Sequence, residues 1–393
     1  MPDSGRSEKI RNILNYTAFI AMMVFYAGTW TFPLFYHVTE IYNSLIIFVC
    51  LAILFIANID IREKIRERDL MLPVLALTLI IAVINLFLIG SRKGCILIIA
   101  DFLLILYLAV NIRVTKGQRK MLEVFFLIMF ISWFIYDRAF SYNSNTGATV
   151  TVFTFFGGMV MLQAIAEKKE IYGFLIVISF VRVITLVFWH LARGAFFALV
   201  LFIFFYYIFP AAWWKHKKIY RGLILFATLG SLVFVGAYVL IGSTGYNIKL
   251  PFFYKNVFSG REQIWLEVWE ILKTQLLTGI GSGRELKSFF EYNIHNAMYD
   301  ILAVHGIIVF AGSLMIIWNR LIKAGEAVDT GSRKKLCAIA AVFAIFIESF
   351  IDMDLMWADY SPLLLFLLLT VFEKDGAEEG AAGESGVKGL NHG

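Results

Sequence analysis

The sequence predicts an all-α polytopic membrane protein of about twelve transmembrane helices with one larger external loop. Composition is the first observation behind this. Of 393 residues, 60% are hydrophobic and 16% charged, against roughly 25% charged and 45–50% apolar in a soluble domain. With 38 Phe and 17 Tyr, the apolar surface exceeds what one soluble core can hide, and a bilayer is its natural solvent. The second observation is where the Lys and Arg fall. They crowd short loops between apolar runs, which marks membrane topology and not a nucleic-acid surface.

Residues 1–12 are polar and basic and are expected in the cytoplasm. Twelve apolar runs follow, near 13–34, 41–58, 71–90, 95–112, 121–137, 149–166, 172–189, 195–213, 222–242, 297–318, 336–351 and 356–372. Most approach the length that crosses a hydrocarbon core of about 30 Å; the fifth and the last two are short. No small-residue cleavage site follows the first run, so it is expected to be a retained helix. Cys50, Cys95 and Cys337 all sit in apolar runs without disulfide or metal spacing. No period of 20–50 residues repeats. Residues 13–242 thus hold helices one to nine, 243–296 form a loop, 297–372 hold helices ten to twelve, and the Gly, Ala and Glu-rich tail, 373–393, is expected to be disordered and cytoplasmic.

Orientation follows from the basic residues. With the N-terminus in the cytoplasm, 24 of the 35 Lys and Arg fall on the cytoplasmic side and ten on the other, with Arg182 inside a helix. The 243–296 segment is then external, and long loops are more often functional than short ones. Within it, Ser259 and Glu262 match a capping box. Ile264, Trp265, Val268, Trp269, Leu272 and Leu276 then recur at helical spacing, so 260–278 is expected to be an amphipathic helix against the membrane surface or the bundle.

Candidate chemistry collects on this external face. Arg193 lies in the very short turn between helices seven and eight. Arg261 lies in the first turn of the amphipathic helix, where a cation opposes the helix dipole but joins free N–H groups in an anion site. His295 stands at the mouth of helix ten, where a helix N-terminus favours the neutral, proton-accepting imidazole. Asp352, Asp354 and Asp359 are carboxylates suited to a divalent metal or to an ordinary solvated turn. Arg182 within helix seven is expected to pair with Asp101 or Glu348 or to reach toward the site. Two arginines and a histidine on one face suit a reaction at a pyrophosphate. The arginines would hold the leaving group while the histidine takes a proton from an incoming hydroxyl. A pyrophosphate at the membrane implies a polyprenyl-linked donor.

His295 and Asn296, then the nine residues 297–305, then Gly306, resemble the H-[NSQ]-x9-G signature of bacterial O-antigen ligases, members of the O-antigen ligase/polymerase superfamily. The run from Gly260 through Trp265, followed by Gly279, Gly281 and Gly283, resembles that family's second motif block. Ala192, Arg193 and Gly194 resemble the first, with Ala192 where the family often has Ser. Val309 and the short external loop also depart from the pattern. The resemblance spans roughly residues 180–310. It implies a GT-C-like fold in the bacterial inner membrane with a periplasmic active site. The implied enzyme is a metal-independent, inverting glycosyltransferase without cofactor. It would move an O-antigen chain from undecaprenyl pyrophosphate to the lipid A–core. Arg193 and Arg261 would bind the donor pyrophosphate and His295 would activate the acceptor hydroxyl. The partners implied are the lipid-linked O-antigen, the lipid A–core and membrane lipids.

An O-antigen polymerase shares the donor, and some carry R-x10-G in external loops. Eleven residues on from Arg138, Arg193, Arg261 and Arg284 stand Thr149, Phe204, Leu272 and His295, none of them Gly, which favours a ligase. A protein O-oligosaccharyltransferase usually has a longer chain and a larger periplasmic part. A secondary transporter fits the helix count but not the missing internal repeat, and a membrane scaffold leaves the external Arg and His set unexplained.

Overall fold

The computed structural model describes residues 4–89, 94–136, 142–245, 249–250, 255–257, 260–282, 286–287 and 294–373. Each of the twelve apolar runs lies on a helix. In chain order these are α1 (Ser4–Thr31), a short α2 (Pro33–Thr39), α3 (Asn43–Asn58), a short α4 (Ile61–Arg66), α5 (Met71–Ile89), α6 (Gly94–Asn111), α7 (Lys116–Ile135), α8 (Ser144–Lys168), α9 (Gly173–Trp189), α10 (Arg193–Ile203), a short α11 (Ala211–Lys215) and α12 (Lys217–Gly242). A two-residue ribbon pairs β1 (Lys249–Leu250) with β2 (Lys255–Asn256). Then come α13 (Arg261–Leu272), α14 (Ala297–Ala327), α15 (Arg333–Glu348) and α16 (Ser361–Val371). Of the expected tail, Glu373 is described and ion-paired, and 374–393 lie outside the described residues.

Among the described residues six helices are long and apolar enough to cross a membrane. They are Glu8–Thr31, Met71–Ile89, Ser144–Lys168, Glu170–Trp189, Lys217–Gly242 and Ala297–Ala327. Pro33–Thr39 and Asn43–Asn58, bent by 80° where they meet, make a seventh if counted as one span. The other runs fold into shorter pieces. At about 1.5 Å per residue, the 16 residues of α15 rise about 24 Å, short of a core of about 30 Å. The α16 helix is shorter still and buried along its whole length. A helix apolar on every side belongs inside a bundle, so composition alone marks α16 as apolar without fixing whether lipid or protein surrounds it.

The outer helices do the opposite. Leu77, Ile80, Phe87 and Leu88 on α5, Val177 and Val181 on α9, and Leu225, Phe226, Val233 and Leu240 on α12 are all exposed. Apolar belts of this extent are rare on soluble monomers, and they mark a membrane-embedded protein. Inside, Thr151, Thr154, Thr228, Ser313 and Thr370 each return a hydroxyl hydrogen bond to the carbonyl four residues earlier, which satisfies these buried hydroxyls.

The bundle has two chemically distinct ends. At one, Lys334 joins Glu123 and Glu373, and Arg119 also meets Glu373. A cleft of about 1230 Å³ opens there between paired charges. The other end carries the α9–α10 turn, α13, the start of α14 and the turn after α15.

A break in α14 shapes this second end. Gly306 is non-helical, with φ 82° and ψ 172°, which frees carbonyls that a regular helix would use. The segment after α13 takes them: Ile280 and Gly281 donate N–H groups to the Ala303 and Val304 carbonyls at 2.7 and 3.1 Å, and Ile307 donates to the Leu276 carbonyl at 2.8 Å. The Asn85 side chain covers the His305 carbonyl at 2.8 Å. The two backbones approach so closely that a Cβ on Gly279 would meet the Val304 carbonyl, and one on Gly306 the Leu277 carbonyl. Both glycines have positive φ, a region that L side chains adopt at a cost.

Candidate active site

Arg193 and Arg261 occupy equivalent places on two helices: each is the first helical residue, of α10 and of α13. Ala192 precedes one in extended conformation and Gly260 the other at φ 91°, and neither supplies a side-chain cap. The first N–H groups of a helix have no acceptor one turn back, which is why a helix start favours an anion. A cation at this position works against the helix dipole. The two guanidinium groups also feel each other. Burial, then the charge of Arg261, lowers the Arg193 pKa, with Tyr238 opposing. Two cations drawn together at two helix starts make a site complementary to a multiply charged anion.

The local sequence differs from expectation in two ways. Gly260 is the N-cap, and Glu262, the second helical residue, reaches back to accept the Gly260 N–H at 3.1 Å. Ser259, the expected cap, lies outside the described residues, as do Gly283 and Arg284. The helix also stops at Leu272 rather than 278, because the chain turns there to meet the break in α14, and Trp269 and Leu276 are exposed. The face that docks is Ile264, Trp265, Val268 and Leu272. Trp265 donates its indole N–H to the Ile294 carbonyl at 2.5 Å, and the Tyr299 hydroxyl donates to the Trp265 carbonyl at 3.0 Å. This pair ties Arg261, one turn earlier, to the mouth of α14.

His295 holds a left-handed backbone at φ 50°, a conformation costing a non-glycine residue about 1–3 kcal/mol. Asn296 holds the chain there. Its side-chain oxygen caps α14 by accepting the Tyr299 N–H at 2.9 Å and accepts the Ser231 hydroxyl at 2.9 Å. Its amide donates to the Phe350 carbonyl at 2.9 Å, and the Ala297 N–H donates to the Ser349 carbonyl at 3.1 Å. Fully buried Asn296 therefore joins α12, α14 and the turn after α15, which brings Asp352 to His295.

Asp352 is the residue the sequence placed in the right region without its role. Its Oδ1 lies 3.2 Å from His295 Nδ1 and its Oδ2 lies 3.9 Å from the Arg261 guanidinium. Burial opposes its charge, but the hydrogen bond and charge of His295, then Arg261, bring its carboxyl below the ordinary value. As a carboxylate it can only accept, so it takes the N–H of His295 Nδ1. Nothing in the linear spacing of 295 and 352 signals this pair.

The three aspartates separate. Glu348, Asp352 and Asp354 each place a carboxylate oxygen within 4.8 Å of the others. Burial, then the charge of Asp352, raises the Asp354 carboxyl well above its ordinary value, while a Thr149 hydrogen bond opposes this. Asp359 instead accepts the Asn43 amide at 3.2 Å, and its carbonyl accepts the Trp30 indole at 3.4 Å. Arg182 pairs with neither expected carboxylate. Its Nε donates to the Phe134 carbonyl at 3.0 Å, near the end of α7.

Arg193, Arg261 and His295, far apart in sequence, thus converge at one end of the bundle. Compared with family models, with curated proteins and with solved structures, the chain has no match.

Proposed function

We propose that this end of the bundle is a glycosyl-transfer site for a polyprenyl-pyrophosphate donor. The chain would be a bacterial inner-membrane O-antigen ligase with the site facing the periplasm and the apolar runs giving about twelve crossings in a GT-C-like bundle. The observation that carries this is the pair Arg193 and Arg261, each opening an uncapped helix. Two guanidinium forks at two helix starts match the oxygens of a pyrophosphate.

The chemistry follows from the neighbours. An acceptor hydroxyl of the lipid A–core attacks the anomeric carbon of the donor. The new C–O bond forms as the bond to the pyrophosphate oxygen breaks, with inversion, and undecaprenyl pyrophosphate leaves against the arginines. His295 Nε2 takes the hydroxyl proton, and Asp352 steadies the imidazolium. A lipopolysaccharide gel from a deletion strain tests this. Loss of the whole ladder with the core retained is expected; a single-repeat band identifies a polymerase, and an unchanged ladder removes the proposal.

A further inference from the structure

We propose that Glu348, Asp352 and Asp354 form a binding site for one hard divalent cation beside the arginine–histidine site.

Glu348 carries the inference. It is fully buried, and neither of its oxygens has a hydrogen-bond partner among the described residues. It points into the cluster, since one of its oxygens lies within 4.8 Å of an oxygen from each aspartate. Buried carboxylates are ordinarily paired, hydrogen-bonded or bound to a metal. Arg261 and His295 both approach Asp352. On its other side Glu348 faces glycine. A Cβ on Gly194 would stand 3.2 Å from Oε1, so no side chain there offers a donor.

The geometry suits an ion. Oxygens bound to one Ca²⁺ or Mg²⁺ at roughly 2.0–2.6 Å are separated by at most roughly 4–5 Å, and the three carboxylates meet that limit. They come from the end of α15 and the turn after it. That turn is fixed by hydrogen bonds from the Ile351 N–H to the Glu348 carbonyl and from the Met353 N–H to Asp352 Oδ1, both 2.9 Å. A helix C-terminus presents its carbonyl dipoles to the same region and favours a cation. Three carboxylates, all oxygen donors, select a hard ion over zinc or copper. The cation balances the carboxylates; Arg193 and Arg261 keep the leaving group.

The test uses the full-length protein in detergent, free of affinity tag, treated with chelator and desalted. Mg²⁺, Ca²⁺ and Mn²⁺ are titrated separately by calorimetry, and thermal unfolding is followed with and without each ion. One saturable site and a rise in Tm are expected for at least one ion, and Glu348→Gln and Asp354→Asn should each weaken binding by about tenfold or more. If Glu348→Gln fails to fold, Asp354→Asn gives the same comparison. No saturable binding by wild type, a Tm indifferent to all three ions, or wild-type affinity in the variants would overturn the site. Because no readout is glycosyl transfer, the proposed enzyme activity can fail while this site stands, and the reverse.

Discussion

At the scale of the residue, the proposed site would divide its labour between charge and proton transfer. Arg193→Lys and Arg261→Lys keep the charge but lose the planar fork that grips two oxygens at once. Both should weaken binding of an undecaprenyl-pyrophosphate donor and lower transfer to purified lipid A–core, measured separately in vitro. Near-normal transfer by both would reduce the arginines to simple positive charges. His295→Ala should leave donor binding intact while transfer falls by about 10²–10⁴-fold. Asp352 would position His295, so Asp352→Asn should lower transfer while leaving donor binding intact. A purely structural role would weaken both. Folding gives a second readout. The Asp352 carboxyl is depressed below its ordinary 3.8. Its contribution to stability is therefore present above that value and lost as pH falls through the lower folded value. Acid unfolding below about pH 4 should be less steep in Asp352→Asn than in wild type.

At the scale of the element, the break in α14 is the joint on which the site depends. Gly306 and Gly279 bring two backbones within hydrogen-bonding reach, and the N–H groups of Ile280 and Gly281 replace those that α14 gives up. Gly306→Ala adds strain of about 1–2 kcal/mol from the positive φ alone, and the collision with the Leu277 carbonyl adds more. A lower Tm in detergent and reduced expression should follow; unchanged stability would mean that the segment does not dock as described. Trp265 couples α13 to this joint. Trp265→Phe leaves the buried Ile294 carbonyl without its donor, at a cost of about 1–3 kcal/mol. Donor binding should fall with it, since Arg261 is one turn away. Full binding by this variant would show that Arg261 is held by other contacts.

At the scale of the whole molecule, the exposed apolar belts on α5, α9 and α12 and the basic residues at one end set the bundle in a membrane. If that basic end is cytoplasmic, a phosphatase fusion at Thr244 should be active outside and one at Gly376 inactive. Cytoplasmic signal from the Thr244 fusion would place the arginine–histidine end in the wrong compartment for a periplasmic acceptor. The short buried helices α15 and α16 make up the interior against which α8 and α10 pack. Their length does not itself demand a full crossing, so the number of spans is a matter for such fusions.

What the sequence determined by itself was chemical and local. Apolar composition located the long helices, because burial in lipid or in a bundle requires the same residues and the same internal hydrogen bonding, whereas the charged α4 carries no such mark. Residue type and a position at a helix mouth marked Arg193, Arg261 and His295, because a guanidinium and an imidazole carry their chemistry wherever they sit. Only the tertiary structure decided who meets whom. The pair of His295 with Asp352, the departure of Asp359 to Asn43 and the capture of Arg182 by the Phe134 carbonyl all join residues distant in the chain. The same holds for the length of α13. Its apolar spacing continues to Leu276, but the helix ends at Leu272 because the chain beyond it meets the carbonyls freed at Gly306. Helical spacing follows from the geometry of a single helix, whereas a carbonyl without a partner exists only once another helix has broken beside it.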